Sequence, residues 1–224
     1  MTGSGSLELV AFDIETTGFD SDDVVTVLGV ALPLGCRVFC NTGGRHADGV
    51  EVRVRDRASQ HVRVSLHDSE SATVEAFAAF ASERLWGEDV LLVAYNGEQW
   101  RSGFDLPFLR TRLAALDAEW LFRDLPYADL LPVITNRFNT TVDGEARQDL
   151  AGAYDVLIDG DVSEIDPFDE SREAVDAYED GRFADLVLHN VADVLRTQAL
   201  GRLAERYCSK SDFRLKSLTP TTHD

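Results

Sequence analysis

Phe12-Asp13-Ile14-Glu15-Thr16-Thr17-Gly18 follows directly on Leu7-Glu8-Leu9-Val10-Ala11. β-Branched and apolar residues surround two acids, so Leu7–Ile14 reads as a strand running into a Thr-Thr-Gly turn. Alternate residues of a strand face the same way. Asp13 and Glu15 therefore project together, and Phe12 and Ile14 face the opposite side. Two carboxylates side by side repel one another, and burying them unpaired costs several kcal/mol. A hard divalent cation removes that cost, and Mg²⁺ or Mn²⁺ favours carboxylate oxygens. The simpler alternative is an edge strand with both acids in water.

Outward from this stretch, Val24–Leu32 reads as a second strand. Arg37–Asn41 reads as a third, after the Pro33–Gly35 turn. Gly43–Asp68 alternates around Val50, Val52, Val54, Val62 and Val64, as in a hairpin or an exposed excursion. Ser69–Leu85 has the helical period, with Val74, Phe77, Ala78, Phe80, Ala81 and Leu85 on one face. Asp68 or Ser69 is its expected cap. Val90–Tyr95 is a continuous apolar run suited to a central, doubly covered strand. Asp105–Leu116 reads as a helix, and Tyr127–Leu131 as a short strand entering another helical stretch. An acidic loop, Asp159–Asp169, separates Gln148–Ile158 from a final helix at Phe183–Arg206. This order predicts an α/β fold: a mixed central sheet, antiparallel in its first three strands and parallel afterwards, flanked by helices. Residues 1–207 are expected to form a single domain, and the polar segment 208–224 a mobile tail.

Two further clusters carry chemistry-bearing residues. Tyr95-Asn96-Gly97 ends the apolar strand, and Gly103-Phe104-Asp105-Leu106-Pro107-Phe108-Leu109 opens the next helix. Asp105 either caps free N–H groups or arrives beside Asp13 from a neighbouring element. Asp185, His189 and Asp193 are spaced four apart and share one helix face. A His one turn before an Asp can orient or deprotonate a water while the Asp holds metal. The alternative is an ordinary surface His–Asp pair.

The net charge of −19 at first argues against a nucleic-acid partner, because phosphate neutralisation supplies much of a nucleic-acid binder's affinity. However, the basic residues are 19 Arg and only 2 Lys, and 25 Asp exceed 15 Glu. Acid spread along the whole chain with Lys nearly absent points to halophilic adaptation, which acts whatever the protein binds. Nucleic acid stays open as a partner, bridged by divalent metal. The N-terminus Met1–Ser6 has no secretory pattern and no stretch is apolar enough to span a bilayer, so a cytoplasmic location without membrane association is expected. Three cysteines make no disulfide framework. Cys36 and Cys40, four apart with no second ligand pair, read as buried thiols and not as zinc ligands.

Taken in order, the three clusters resemble the motifs of the DEDD 3′–5′ exonuclease superfamily, the DnaQ-like branch of the ribonuclease-H-like fold. The matching segments are Asp13-Ile-Glu15-Thr-Thr-Gly, Asn96…Phe104-Asp105-Leu-Pro-Phe-Leu and His189-Asn-Val-Ala-Asp193. Within that superfamily the chain looks most like the exonuclease domain of family-B DNA polymerases and its stand-alone relatives. The resemblance runs from about Leu7 to Leu203. It implies that Asp13, Glu15, Asp105 and Asp193 bind two Mg²⁺ or Mn²⁺, with His189 handling the attacking water. It also implies substrate contacts at Thr16, Thr17, Asn96 and Phe104. The implied reaction is hydrolysis of DNA or RNA from a 3′ end, releasing nucleoside monophosphates, on a substrate expected to be single-stranded. An endonuclease on the same fold and a scaffold without catalysis are the competing readings. With no polymerase or helicase domain attached, a proofreading role would need a polymerase or repair partner. Asp129 resembles the family's Asp-bearing strand end, in a capping or supporting role.

There are two departures from the family pattern. Glu98–Gly103 lengthens the gap before Phe104, either as a substrate-contact loop with Trp100 stacking on a base or as a simple insertion. In addition, His189 stands where polymerase-type members have Tyr, four residues before the last Asp. The His-type branch has its His five before, where this chain has Leu188.

Overall fold

The computed structural model describes residues 7–58, 60–87, 89–98, 103–158 and 160–222. In chain order the elements are β1 (Glu8–Thr16), β2 (Val25–Leu32), β3 (Gly35–Asn41), α1 (Val50–Arg57), β4 (Val62–His67), α2 (Glu70–Arg84), β5 (Val90–Ala94), α3 (Asp105–Leu116), β6 (Pro126–Asp129), α4 (Leu130–Arg137), β7 (Thr141–Val142), β8 (Glu145–Ala146), α5 (Leu150–Leu157), α6 (Glu173–Glu179), α7 (Phe183–Tyr207) and β9 (Lys216–Ser217). Seven strands form one sheet in the order β4-β3-β2-β1-β5-β6-β9. β1, β2 and β3 are an antiparallel meander, and β5 and β6 continue parallel to β1. This is the ribonuclease-H-like arrangement that the sequence predicts. Among the described residues, no helix is long and apolar enough to cross a membrane.

The alternation along β1 sorts the two layers. Leu9 and Ala11 pack in a cluster with α7, α1, α4, α5 and α6, while Val10, Phe12 and Ile14 pack with α2 and α3 on the other face. Asp13 and Glu15 share the parity of Leu9 and Ala11 and so face α7. The second layer is rich in aromatic edge contacts: Phe12 meets Phe122 at 4.7 Å and Phe77 at 6.0 Å between ring centroids. Such pairs add about 0.5–1.5 kcal/mol beyond area burial.

A buried ion pair ties the second layer to the sheet. Glu70 opens α2, and its Oε1 accepts from the Val25 backbone N–H at 2.9 Å. Arg112 of α3 grips the same carboxylate through Nε at 2.9 Å and Nη2 at 2.8 Å. Its Nη1 reaches the Ser21 carbonyl at 3.0 Å, which anchors the loop leaving β1. Ser69 is the α2 cap, accepting from the Ala72 N–H at 3.2 Å.

Three expectations need correcting. Residues 43–68 are neither a hairpin nor a loose excursion. They form α1 and then β4, which lies parallel to β3 and extends the sheet. Val50 and Val54 are one helical turn apart and buried, whereas Val52 between them is exposed. The alternation of valines therefore served a helix face. Segment 208–224, expected as a mobile tail, instead docks through Leu218. Phe213 and Leu218 are buried, β9 pairs antiparallel with β6, and a capping box at Ser209 and Asp212 starts a short turn of 3₁₀ helix. Its polar composition concealed two apolar anchors. The acidic loop expected at Asp159–Asp169 holds a turn of 3₁₀ helix at Val162–Glu164, and the helix α6 follows it before α7. Met1–Ser6 and Trp100 lie outside the described residues. Cys36 and Cys40 are buried free thiols in β3, and burial pushes each up to about 12.

Candidate metal centre

Three elements converge where β1 ends. β1 supplies Asp13 and Glu15, opposite Gly29 and Val27 of β2. β5 runs parallel to β1, with Ala11 paired to Val93, so the chain leaves β5 beside the two acids. Asn96 turns it there with a left-handed backbone (φ 64°), and the Asn96 and Glu98 N–H groups donate to the Asp129 carboxylate at 2.9 and 3.1 Å. Asp129 also accepts from the Leu131 N–H, capping α4. It is thus the support for the turn that the sequence suggested. Phe104 takes the cap position of α3, and Asp105 is the helix's first residue and not its cap. α7 crosses the sheet face and brings His189, Asn190 and Asp193.

The carboxylates lie close enough to oppose one another's ionisation. Burial pushes Asp13 well above the usual range, and Glu15, Asp105 and Asp193 push it further, against the Asn190 hydrogen bond. Burial likewise raises Asp105, helped by Glu15, Asp129 and Asp193. Glu15 is raised by burial to about 7 despite the nearby His189. The Asn190 contact depends on β2: Asn190 Nδ2 donates to Asp13 Oδ2 at 2.8 Å, and a Cβ on Gly29 would collide with Asn190 Oδ1.

Two cations and one further acid complete the cluster. His189 Nδ1 donates to Asp166 Oδ1 at 2.8 Å, and its Nε2 stands 3.8 Å from Asp193 Oδ2. Arg196 Nη1 bridges Asp166 Oδ2 at 2.6 Å and Asp193 Oδ1 at 2.7 Å. Burial alone would lower the His189 pKa, but Glu15, Asp166 and Asp193 outweigh it and push it up to about 10. One ligand atom each from Glu15, His189 and Asp193 lies within 4.8 Å of the others, which makes room for a shared cation.

The remaining expected contacts are placed as follows. Thr16 donates its hydroxyl to the Gly18 carbonyl at 2.6 Å, and Thr17 donates to Asp23 Oδ1 at 2.8 Å. Both hydroxyls thus shape the loop after β1. Phe104 packs edge-on to Phe19 with ring centroids 5.1 Å apart, and Phe19 is 84% exposed. Sequence reasoning missed Phe19, Asp166, Asn190 and Arg196. Arg196 had a signal, since it follows Asp193 by three residues on the same helix. Asp166 had none, being one acid among many in an acidic loop. The chain matches no protein-family model and no curated protein sequence.

Proposed function

We propose that the protein is a metal-dependent nuclease that hydrolyses phosphodiester bonds of DNA or RNA, acting as a 3′–5′ exonuclease on single strands. The observation that carries this reading is the meeting of Asp13, Glu15, Asp105 and Asp193 from three elements around a largely desolvated point. The donor set fits hard divalent cations: carboxylate oxygens raise one another's pKa, and two cations of the chain do not quench that repulsion. Those four residues would hold two Mg²⁺ or Mn²⁺, whose chemistry is to activate a water and stabilise the leaving oxygen of a phosphodiester.

The chain's own residues would do the rest. Asn190 orients Asp13, and Arg196 fixes one oxygen of Asp193 and leaves the other free to turn inward. The Phe19–Phe104 pair beside Asp105 offers a face on which a terminal base can stack, a contact every base can make. A substrate with a free 3′ end would place its last phosphate at the carboxylates while its base rests on that pair. A highly acidic surface matches such chemistry in a salt-rich cytoplasm, where bound metal bridges protein and phosphate.

One observation favours a second reading. Arg196 and a protonated His189 already lend positive charge to Asp193 and Asp166, as a scaffold that has dispensed with metal would need. The deciding experiment compares wild type with an Asp13→Ala, Glu15→Ala double variant on end-labelled single-stranded DNA and RNA, in high salt with Mn²⁺. Wild type should release mononucleotides and the variant none. If wild type cuts neither substrate, or the variant cuts as well, the nuclease reading is wrong.

A further inference from the structure

The departure at position 189 acquires a chemical meaning from its neighbours. A carboxylate can only accept, so the 2.8 Å contact to Asp166 keeps a proton on His189 Nδ1, and the proton that a bound ion displaces is the one on Nε2. Nε2 is then the atom turned toward Asp193, and Glu15 belongs to the same cluster of possible ligand atoms. The 3.8 Å from Nε2 to Asp193 Oδ2 is too long for a hydrogen bond. It does suit two atoms bound to one ion, because ligands about 2.1 Å from a common centre stand roughly 3–4 Å from one another. One ligand atom each from Glu15, His189 and Asp193 lies within 4.8 Å of the others, so small side-chain rotations bring all three onto one ion.

The ring is also held in its plane. Its side chain is only 6% exposed, and Phe168 packs tilted against it with centroids 5.2 Å apart. Asp166 and Phe168 come from the same loop, so one segment both orients the imidazole and walls it. Arg196 Nη1 holds the second oxygen of Asp166 and thereby anchors the orienting carboxylate. A carboxylate accepting from one ring nitrogen while the other faces a ligand set is the usual environment of a metal-bound histidine.

We infer that His189 Nε2 is a metal ligand, forming with Glu15 and Asp193 a mixed nitrogen and oxygen site that favours Mn²⁺ over Mg²⁺, with Asp166 as its positioning residue. The inference rests on the metal site proposed above and changes the role of His189 from water-handling group to ligand. Imidazole suits transition metals, whereas Mg²⁺ prefers oxygen alone and sheds its waters reluctantly.

The test is pulsed EPR on the full-length protein loaded with substoichiometric Mn²⁺, together with Mn²⁺ and Mg²⁺ titrations. Wild type should show nitrogen modulation from a directly bound imidazole, and His189→Gln should lose it and bind Mn²⁺ with less preference over Mg²⁺. Asp166→Ala should keep the modulation but weaken Mn²⁺ binding about 10- to 100-fold. Bound Mn²⁺ without nitrogen modulation in wild type, or modulation that survives His189→Gln, overturns the inference and leaves the carboxylate site standing. Mn²⁺ that stays wholly in solution overturns both. The wild-type spectrum decides even if either variant fails to fold.

Discussion

Asn190 and Asp13 stand 177 residues apart in the chain and 2.8 Å apart in the fold. The contact exists because Gly29, directly across the strand pair from Asp13, leaves room for the Asn190 amide. Gly29→Ala should therefore push α7 off the sheet at this point. The expected loss is about 1–3 kcal/mol, typical of overpacking a tight interior. Denaturant unfolding measures it, and Mn²⁺ affinity should fall in parallel, since Asp13 loses its orienting donor. An unchanged midpoint would show that the helix can shift freely.

Asp105→Asn separates stability from function. Burial and three neighbouring acids raise the Asp105 carboxyl, against a backbone hydrogen bond that lowers it. At pH 8 without metal the neutral isostere should stabilise the fold, since it removes a charge that burial and the neighbouring acids oppose. The favourable placement of a negative charge at the start of α3 opposes this, but contributes only about 0.3–1 kcal/mol. Hydrolysis should drop to background. A variant less stable than wild type in EDTA would contradict the repulsion on which the metal site is argued.

The pH dependence of the metal-free protein follows from two groups with the same sign. Glu15 rises from 4.5 to about 7 on folding and His189 from 6.5 to about 10. In each case the folded state binds more protons between the two values, so stability is lost as pH rises through the folded pKa. In EDTA, unfolding free energy should fall by on the order of 4–5 kcal/mol between pH 6 and pH 9, about 1.4 from Glu15 and the rest from His189. Saturating Mn²⁺ should flatten the profile, because the metal competes for the same atoms. A flat profile in EDTA would mean that the cluster is hydrated in solution.

Glu70→Ala should be the most damaging change far from the carboxylates. It strands Arg112, whose side chain is 12% exposed, and frees the Val25 N–H. Removing one partner of a buried pair costs about 3–5 kcal/mol. Thermal melting in saturating Mn²⁺ gives the readout. Because Arg112 also holds Ser21, the loop carrying Phe19 should become more accessible to protease. A loss below about 1 kcal/mol would place the pair among ordinary surface contacts.

β1, α2, α3 and α7 were legible because one periodicity dominates each. In β1 the apolar parity of Leu9 and Ala11 extends to Asp13 and Glu15, so the face of the acids could be read before any partner was known. Val50, Val52 and Val54 were ambiguous because positions 50 and 54 satisfy a strand and a helix alike. Only burial separates them. The carboxylates could be ordered from their motifs, but the His189 environment could not, since its partner Asp166 lies in a loop where no spacing marks one acid above another. Asn190 was overlooked for a related reason. A neutral amide beside a histidine carries no charge pattern, and its importance rests on an absent side chain at Gly29.

The carboxylate cluster also has a history in time. A growing chain emerges with Asp13 and Glu15 first, and Asp193 follows only when nearly half of α7 has been made. Lys216, which pairs with Glu98 at 3.2 Å, and β9, which closes the sheet beside β6, come later still. Contacts between such distant positions form slowly, because the intervening loop must be closed before they stabilise anything. A nascent chain halted before Phe183 would expose Leu9, Ala11 and Val27 to solvent and would hold at most three of the four acids. Truncated translation products should therefore be sticky and inert. Completing the core and completing the cluster therefore wait on the same helix, α7, and neither can precede the other.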